Sequence, residues 1–457
     1  LARLRDHHPS SLFRRASTPA VRRSSSSQAK PLRWASHLLR LALLVLLLTT
    51  TGEALAGQKR AGRKSTDRYE ISVLTFGPGD HAFTAFGHNA IWIRDRSKKK
   101  DTVYNFGTFA FSSDSLIQDF LQGRLRYWVS YTGLDRAIAP YRAENRSVEV
   151  QVLALSQKQE RELVARLKHN ALPENRYYIY DYYQDNCSTR VRDFIDDVTH
   201  GELKNISGAP ETMNWREHTL RLSQVDWGVS VGLDVALGPK VDAPRTVWEE
   251  MFLPGVLQEN LRKVQVGPPD KRHPLVSKEY SILEAERGSA PTQPPVRWPQ
   301  MLALGSVLGG AILLLSRGRR SRSVALRRTS LSGMWTLTAL MGLVFGLLGS
   351  IFCFFWFATD HSIAARNANI LLMPPWALGF PLLALVAPFW RHASRVAFFL
   401  AALSLVSAIL AATMGALSFW IQDTSAFVPL VLPVWAGVVL SMYGSSTSST
   451  TSPPREG

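Results

Sequence analysis

From residue 299 onward the chain is a succession of long apolar runs, near 299–316, 331–357, 370–388, 396–420 and 426–443. Each is about as long as a helix needs to cross the hydrocarbon core of a bilayer. A chain built this way cannot bury all of its apolar surface in one water-soluble core. The runs predict an α-helical membrane domain of about five spans over 299–443, followed by a disordered cytoplasmic tail over 444–457. A shorter apolar block, Leu38–Leu48, is interrupted by Arg40 and followed by the small-x-small pattern Ala54-Leu55-Ala56. Together with the basic, serine-rich residues before it, this reads as a secretory signal peptide over residues 1–56, with an uncleaved anchor as the alternative. The first residue is Leu1 rather than methionine, so either a different start or processing is expected.

The formal net charge is +17, which in a soluble protein would raise the question of nucleic acid. The positive residues are in the wrong places for that. One group lies in the tail, including Arg14, Arg15, Arg22 and Arg23, and another runs from Arg317 to Arg328 between two apolar stretches. Both have the character of cytoplasmic loops that fix orientation. With the segment before residue 299 outside, the Arg317–Arg328 loop falls inside, Asp360–Asn369 outside, Arg391 and Arg395 inside, and Gln422 and Asp423 outside. Every arginine-rich loop then lies on the cytoplasmic side. This predicts a multi-pass protein of a bacterial cytoplasmic (inner) membrane whose soluble domain faces the periplasm.

That soluble domain is expected over 67–263, with 264–298 as a linker rich in Pro, Lys and Arg. Tyr69–Thr75, Ala90–Arg94, Val103–Phe106 and Ser147–Leu155 have strand character, and Gln157–Asn170 has helical spacing. After Cys187 the apolar residues Val191, Phe194, Ile195 and Val198 predict another helix. The mixture gives an α+β domain.

Cys187 and Cys353 are the only cysteines, and Cys353 lies in an apolar run. A lone thiol in an exported domain is either a buried packing residue or a reactive group. Cys187 opens a predicted helix with Asn186 as a plausible cap, where the helix dipole and free N–H groups favour a thiolate. A thiol nucleophile needs a base, oriented by a third polar group. His88 follows Gly87 and opens an apolar strand; His81, His169, His200 and His218 compete with it. Asn105, on the next strand, lies within reach of an imidazole there. Each residue also has a plain structural reading: a small buried side chain, a strand-edge histidine, a turn asparagine.

The ordered set Phe86-Gly87-His88, Tyr104-Asn105-Phe106-Gly107-Thr108-Phe109, Phe120-Leu121-Gln122-Gly123, Pro173-Glu174-Asn175-Arg176-Tyr177 and Asp185-Asn186-Cys187-Ser188-Thr189-Arg190 resembles the Lnb N-terminal periplasmic domain family. Asp242-Ala243-Pro244 and Met251-Phe252-Leu253-Pro254 continue the resemblance, which covers roughly 69–260. The family is similar to the circularly permuted papain-like (NlpC-like) superfamily, in which the histidine precedes the cysteine. The resemblance implies a fold of that kind followed by the helical membrane domain. It implies Cys187 as nucleophile, His88 as base and Asn105 as the third group.

The implied activity is lipoprotein N-acylation, with a phospholipid as acyl donor and a diacylglyceryl-lipoprotein amine as acceptor. Asn186 and the external-loop residues His361, Asn367 and Asn369 are the expected substrate contacts. No metal-ligand spacing and no phosphate-cradling glycine loop stands out, so no cofactor is expected. Two other readings use the same residues: a cysteine amidase or peptidase acting on cell-wall peptides, and a non-enzymatic envelope assembly or binding module.

Overall fold

Eight consecutive residues, Tyr69–Phe76, form strand β1, and only Glu70 is not buried. A strand apolar on both sides belongs in the middle of a sheet covered on both faces. The computed structural model describes residues 68–82, 84–109, 119, 122–390 and 392–446. The expected signal segment and most of the expected C-terminal tail lie outside these residues. In this structure β1 pairs antiparallel with β2 (His88–Asp95) on one side and with β5 (Val148–Leu153) on the other. With β3 (Lys100–Thr108), β4 (Arg126–Thr132), β6 (Tyr177–Ile179) and β9 (Val276–Leu283), they make a seven-stranded sheet of order β6-β4-β3-β2-β1-β5-β9.

The two faces carry separate cores. On one, Leu74, Phe76, Ala90, Trp92, Val148 and Val150 pack on Ile138 of helix α1 (Leu134–Ala143). On the other, Ile71, Val73, Ile91, Ile93 and Phe106 meet Leu163 and Leu167 of α2 (Gln157–Asn170), Val191, Ile195 and Val198 of α3 (Cys187–Thr199), and Leu257 and Leu261 of α6 (Pro254–Leu261). Residues of opposite parity along β1 and β2 therefore face different helices, as strand alternation requires.

The segment 264–298 is not simply a linker. It holds a small two-stranded ladder (β7, Gln265–Val266; β8, His273–Pro274) and then β9, which extends the main sheet by pairing with β5. β9 is an edge strand with Ser277, Lys278 and Glu279 exposed. Its charge masks it in the sequence, and edge strands commonly carry such residues.

A third layer joins the sheet to the membrane region. Helices α4 (Trp215–Ser223) and α5 (Trp227–Ala236) pack around Tyr183, Trp215 and Phe252. Beneath them Arg216 is buried and held by Asp242 at 2.7 and 2.9 Å and by the Asp234 carbonyl at 2.7 Å. Arg297, the residue before the first membrane helix, shares Asp234 at 3.1 Å. Unpaired, such buried charges would be costly; here each cation has carboxylate partners.

The membrane domain consists of α7 (Trp298–Gly318), α8 (Val324–Phe357), a broken stretch Asn369–Val386, α11 (Ala393–Ala416) and α12 (Val428–Ser446). Among the described residues the first four are long and apolar enough to cross a membrane, and α12 is a shorter apolar helix. Large apolar side chains such as Val307, Leu314, Leu347, Phe399 and Val406 remain exposed, as lipid-facing residues do. The third stretch comprises α9 (Asn369–Leu372), a 3-10 turn at Pro375–Leu378 and α10 (Gly379–Val386). The break falls at Pro374-Pro375, where proline removes backbone donors. The Leu371 carbonyl accepts instead from Ser407 Oγ at 2.7 Å, and the Leu372 carbonyl from Trp435 Nε1 at 3.1 Å.

Candidate active site

The approach to Cys187 is fixed by a tight turn. Asp181 Oδ1 accepts from the N–H groups of Tyr183 and Gln184 at 2.9 Å each, and Asp181 and Asp185 form an isolated bridge. The chain then enters α3 through Asn186. Its Oδ1 accepts from Ser188 N–H at 2.8 Å and Thr189 N–H at 2.9 Å, while Thr189 Oγ1 accepts from the Asn186 N–H. This reciprocal cap satisfies donors that a helix start otherwise leaves open. The Asn186 amide also donates to the carbonyls of Tyr182 at 2.7 Å and Phe252 at 3.0 Å, and Ser188 Oγ donates to the Met251 carbonyl at 2.7 Å. Cys187 is thus held at the first position of α3 from three directions. With Ser188 and Thr189 bound to the cap, the Cys187 N–H is the first-turn donor left for an incoming group.

His88 opens β2 opposite Phe76 of β1. Gly87 before it has φ of +77°, and a Cβ there would stand 2.7 Å from the Phe76 carbonyl oxygen. Only glycine makes that turn without displacing β1. Asn105 pairs with Ala90, two residues beyond His88, so it lies diagonally across the ladder from the imidazole. His88 Nε2 and Asn105 Oδ1 are 2.7 Å apart. The Cys187 thiol is hydrogen-bonded to the same imidazole, and the backbone N–H groups of Asn89 and Ser188 also point at its sulfur. The structure therefore brings Cys187, His88 and Asn105 together from α3, β2 and β3.

Burial works against charge on both partners, but their mutual attraction is stronger. For Cys187, burial pushes the pKa up; the facing imidazolium, its hydrogen bond and the backbone N–H groups outweigh that, and the net shift is downward. For His88, burial pushes down, and the thiolate and the Asn105 bond reverse it, so its pKa is raised. Both shifts move the dyad toward a thiolate–imidazolium pair, the nucleophilic form of such a dyad. Cys187 is 8% exposed and His88 only partly buried, so the pair is reachable.

Aromatic rings surround the pair. Tyr141, Tyr178, Tyr180 and Tyr182 all lie close enough for the Cys187 charge to act on them. Burial raises their phenol pKa values, so they stay neutral. Tyr127 stacks on Tyr180 at 4.2 Å between centroids, and Arg190 lies over Tyr178 while pairing with Asp185. The sequence shows Tyr178, Tyr180 and Tyr182 only as part of an aromatic run over Arg176–Tyr183; pairing of that run with β4 brings them to the site, while Tyr141 comes from α1.

The competing histidines lie elsewhere. His81 is exposed, His169 bonds Asn175, His200 caps the end of α3, and His218 is buried against Glu250 and Arg221.

Of the remaining expected contacts, all but Asn186 lie at the junction with the membrane domain. Asn186 is buried in its cap. His361 lies beside Gly123 and edge-on to Phe355 at 5.2 Å. Asn367 and Asn369 are 1% and 0% exposed. The Asn367 amide donates to the carbonyls of Val235 at 2.9 Å and Ala236 at 3.0 Å, and the Asn369 amide to that of Val235 at 3.1 Å. Gln422 adds a bond to the Leu237 carbonyl at 3.2 Å. These residues cap the end of α5, whose last carbonyls need partners. Nearby, Arg124 pairs with Asp360 at 2.6 Å, and Lys240 bridges Gln184 at 3.1 Å and Ser362 at 3.0 Å. The structure joins this junction to the segment that carries Cys187 through Lys240 and Gln184.

Comparison with known families gives two matches. Residues 59–221 match the Lnb N-terminal periplasmic domain, and residues 323–448 match the Lnb transmembrane domain. No curated protein and no solved structure matches the chain.

Proposed function

Because the chain belongs to the Lnb family, we propose that it is a thiol acyltransferase of the inner membrane. In this reading it moves a fatty acyl chain from a phospholipid to the N-terminal amine of a lipoprotein. The observation that carries the proposal is the Cys187–His88–Asn105 constellation, whose flanking Gln184 is linked through Lys240 to a loop of the multi-helix membrane domain. A soluble wall peptide would give the enzyme no use for such a domain, whereas both proposed substrates reside in the bilayer.

The chemistry follows from the ion pair. The Cys187 thiolate attacks the ester carbonyl of the phospholipid, and the Cys187 N–H at the start of α3 faces the developing oxyanion. The His88 imidazolium gives its proton to the departing lysophospholipid alkoxide, leaving an acyl thioester and a neutral imidazole. The lipoprotein α-amine then attacks the thioester. His88 takes the amine proton, the amide forms, and the Cys187 thiolate leaves, which restores the ion pair. Asn105 keeps the imidazole in one orientation through both steps.

The test is mass spectrometry of lipoprotein N-termini in cells whose N-acylation depends on this protein. Cys187→Ser should leave those amines free. Continued N-acylation in that strain would overturn the proposal. A hydroxylamine-labile acyl adduct on Cys187 of the full-length protein in phospholipid nanodiscs is the expected intermediate.

A further inference from the structure

Helix α5 is inside out. Apart from Ser230 and Asp234, its ten residues are all Trp, Gly, Val, Leu or Ala, and those two polar residues are the ones it buries. Ser230 accepts from Arg297 at 2.6 Å, and Asp234 binds Arg216 and Arg297. A helix on a water-facing surface turns its polar side out and its apolar side in. Here Trp227 is 68% exposed, with Val225, Gly228 and Gly232 also outward, and the one outward charge is the N-cap Asp226 at the very start of the helix, where it accepts from the Val229 N–H.

The position of α5 explains the inversion. Its C-terminal carbonyls are capped by Asn367, Asn369 and Gln422, all at the mouths of the membrane helices. Val231 and Val235 pack against the membrane-domain core. Arg297 ties the buried face of α5 to the first turn of α7, where Val296, Trp298 and Leu302 are also exposed. The outward face of α5 is thus continuous with the lipid-facing side of the first membrane helix.

We propose that α5 lies in the bilayer interface on the side of the catalytic domain, with Val225, Trp227, Gly228 and Gly232 immersed among lipid headgroups and upper acyl chains. Tryptophan at such a level is where its apolar ring and polar N–H are both accommodated. The usual interfacial helix keeps its polar face in water; this one turns it onto the buried arginine network. The helix therefore fixes the height of the catalytic domain above the membrane. Leu233 of the same helix packs in a cluster with Phe86, Tyr182 and Ile363, which links that height to the segments carrying His88 and Cys187.

The full-length protein would be placed in liposomes of phosphatidylethanolamine and phosphatidylglycerol, on a Cys187→Ser, Cys353→Ala background. A nitroxide is attached separately at Trp227→Cys and Gly232→Cys, with Leu347→Cys as the lipid control and Glu174→Cys as the water control. Collision with oxygen should match Leu347→Cys, and collision with a water-soluble nickel chelate should fall several-fold below Glu174→Cys. Nickel access equal to the water control would overturn the proposal. So would low access to both reagents, which would mean that a second copy or another protein covers the face. Trp227→Phe gives an independent readout: it should reduce quenching of protein fluorescence by dibrominated phosphatidylcholine relative to the unaltered chain, and unchanged quenching counts against the proposal.

Discussion

His88 Nε2 stands 2.7 Å from Asn105 Oδ1, and an amide oxygen can only accept, so Nε2 carries a proton. That leaves Nδ1 as the ring nitrogen free to bond the thiol, and in the proposed reaction to exchange the proton. Asn105→Ala removes one hydrogen bond to the charged imidazole, worth about 1–2 kcal/mol. The equilibrium constant for forming the thiolate–imidazolium pair should fall roughly 5- to 30-fold on that figure. The rate of Cys187 alkylation by iodoacetamide measures this. Asn105→Asp should instead hold the imidazolium more tightly. Equal alkylation in all three forms would mean that Asn105 does not orient the base.

The pH dependence has two limbs with different origins. Cys187 has a lowered pKa and His88 a raised one. As pH falls through the Cys187 value, below the ordinary thiol range, the nucleophile is lost. As pH rises through the His88 value, above the ordinary imidazole range, the proton needed by the leaving alkoxide is lost. Acyl transfer should give a bell bounded by these two limbs. Alkylation, which needs no proton donor, should keep only the acidic limb. An alkylation profile that titrates like an ordinary thiol would refute the ion pair.

The local patterns around the site were legible in the sequence, while the packing between distant segments was not. Glycine before His88, an apolar strand after it and helical spacing after Cys187 all predict the elements observed. Asn105 on the neighbouring strand follows from the strand order. Tyr178, Tyr180 and Tyr182 near Cys187 do not, because they reach it through pairing of β6 with β4, a long-range contact. β9 was hidden for a different reason: as an edge strand it needs little apolar surface and carries Lys278 and Glu279. Asn367 and Asn369 looked like polar residues at a span mouth, where function is a reasonable expectation. Only the fold reveals that their amides meet the carbonyls ending α5.

That placement makes a prediction about the two asparagines. Asn367→Ala leaves the Val235 and Ala236 carbonyls without the Asn367 amide and removes the Oδ1 that accepts from Gln422 at 2.8 Å. Stranded buried polar groups cost about 1–3 kcal/mol each. The midpoint of thermal unfolding in detergent should drop, and donor KM measured below that midpoint should stay near its original value. A raised KM with an unchanged midpoint would instead make Asn367 a substrate contact.

Asn186 combines two roles that one pair of substitutions separates. Its Oδ1 caps α3 beneath the thiol, and its Nδ2 anchors the turn to Tyr182 and Phe252. Asn186→Asp keeps the cap and loses the anchor; Asn186→Ala loses both. Loss of a cap costs about 0.5–2 kcal/mol. The alanine form should therefore unfold at a lower temperature than the aspartate form, as read by differential scanning fluorimetry. Aspartate also places a negative charge next to the thiolate, so its alkylation profile should shift to higher pH. An aspartate form no more stable than the alanine form would show that the cap bonds contribute little.

The broken membrane stretch gives a prediction independent of the catalytic residues. Pro375 has no N–H for the Leu371 carbonyl, and Ser407 Oγ occupies that carbonyl at 2.7 Å. The Leu372 carbonyl is likewise taken by Trp435 Nε1 at 3.1 Å. Inside a bilayer no water replaces these donors, although the measured cost of losing an interhelical bond is modest, roughly 0.6 kcal/mol on average. Ser407→Ala and Trp435→Phe should each lower stability slightly. Because each removes a different donor from the same proline break, the pair should lose more together than the sum of the single losses. Steric-trap unfolding in bicelles reads the coupling, and strict additivity would show that the break is held by packing alone. The packing that remains is close: a Cβ on Gly346 of α8 would stand 2.5 Å from the Leu378 nitrogen. Gly346→Val should therefore destabilise the domain more than either donor substitution, since it forces apart two backbones that the broken stretch brings together.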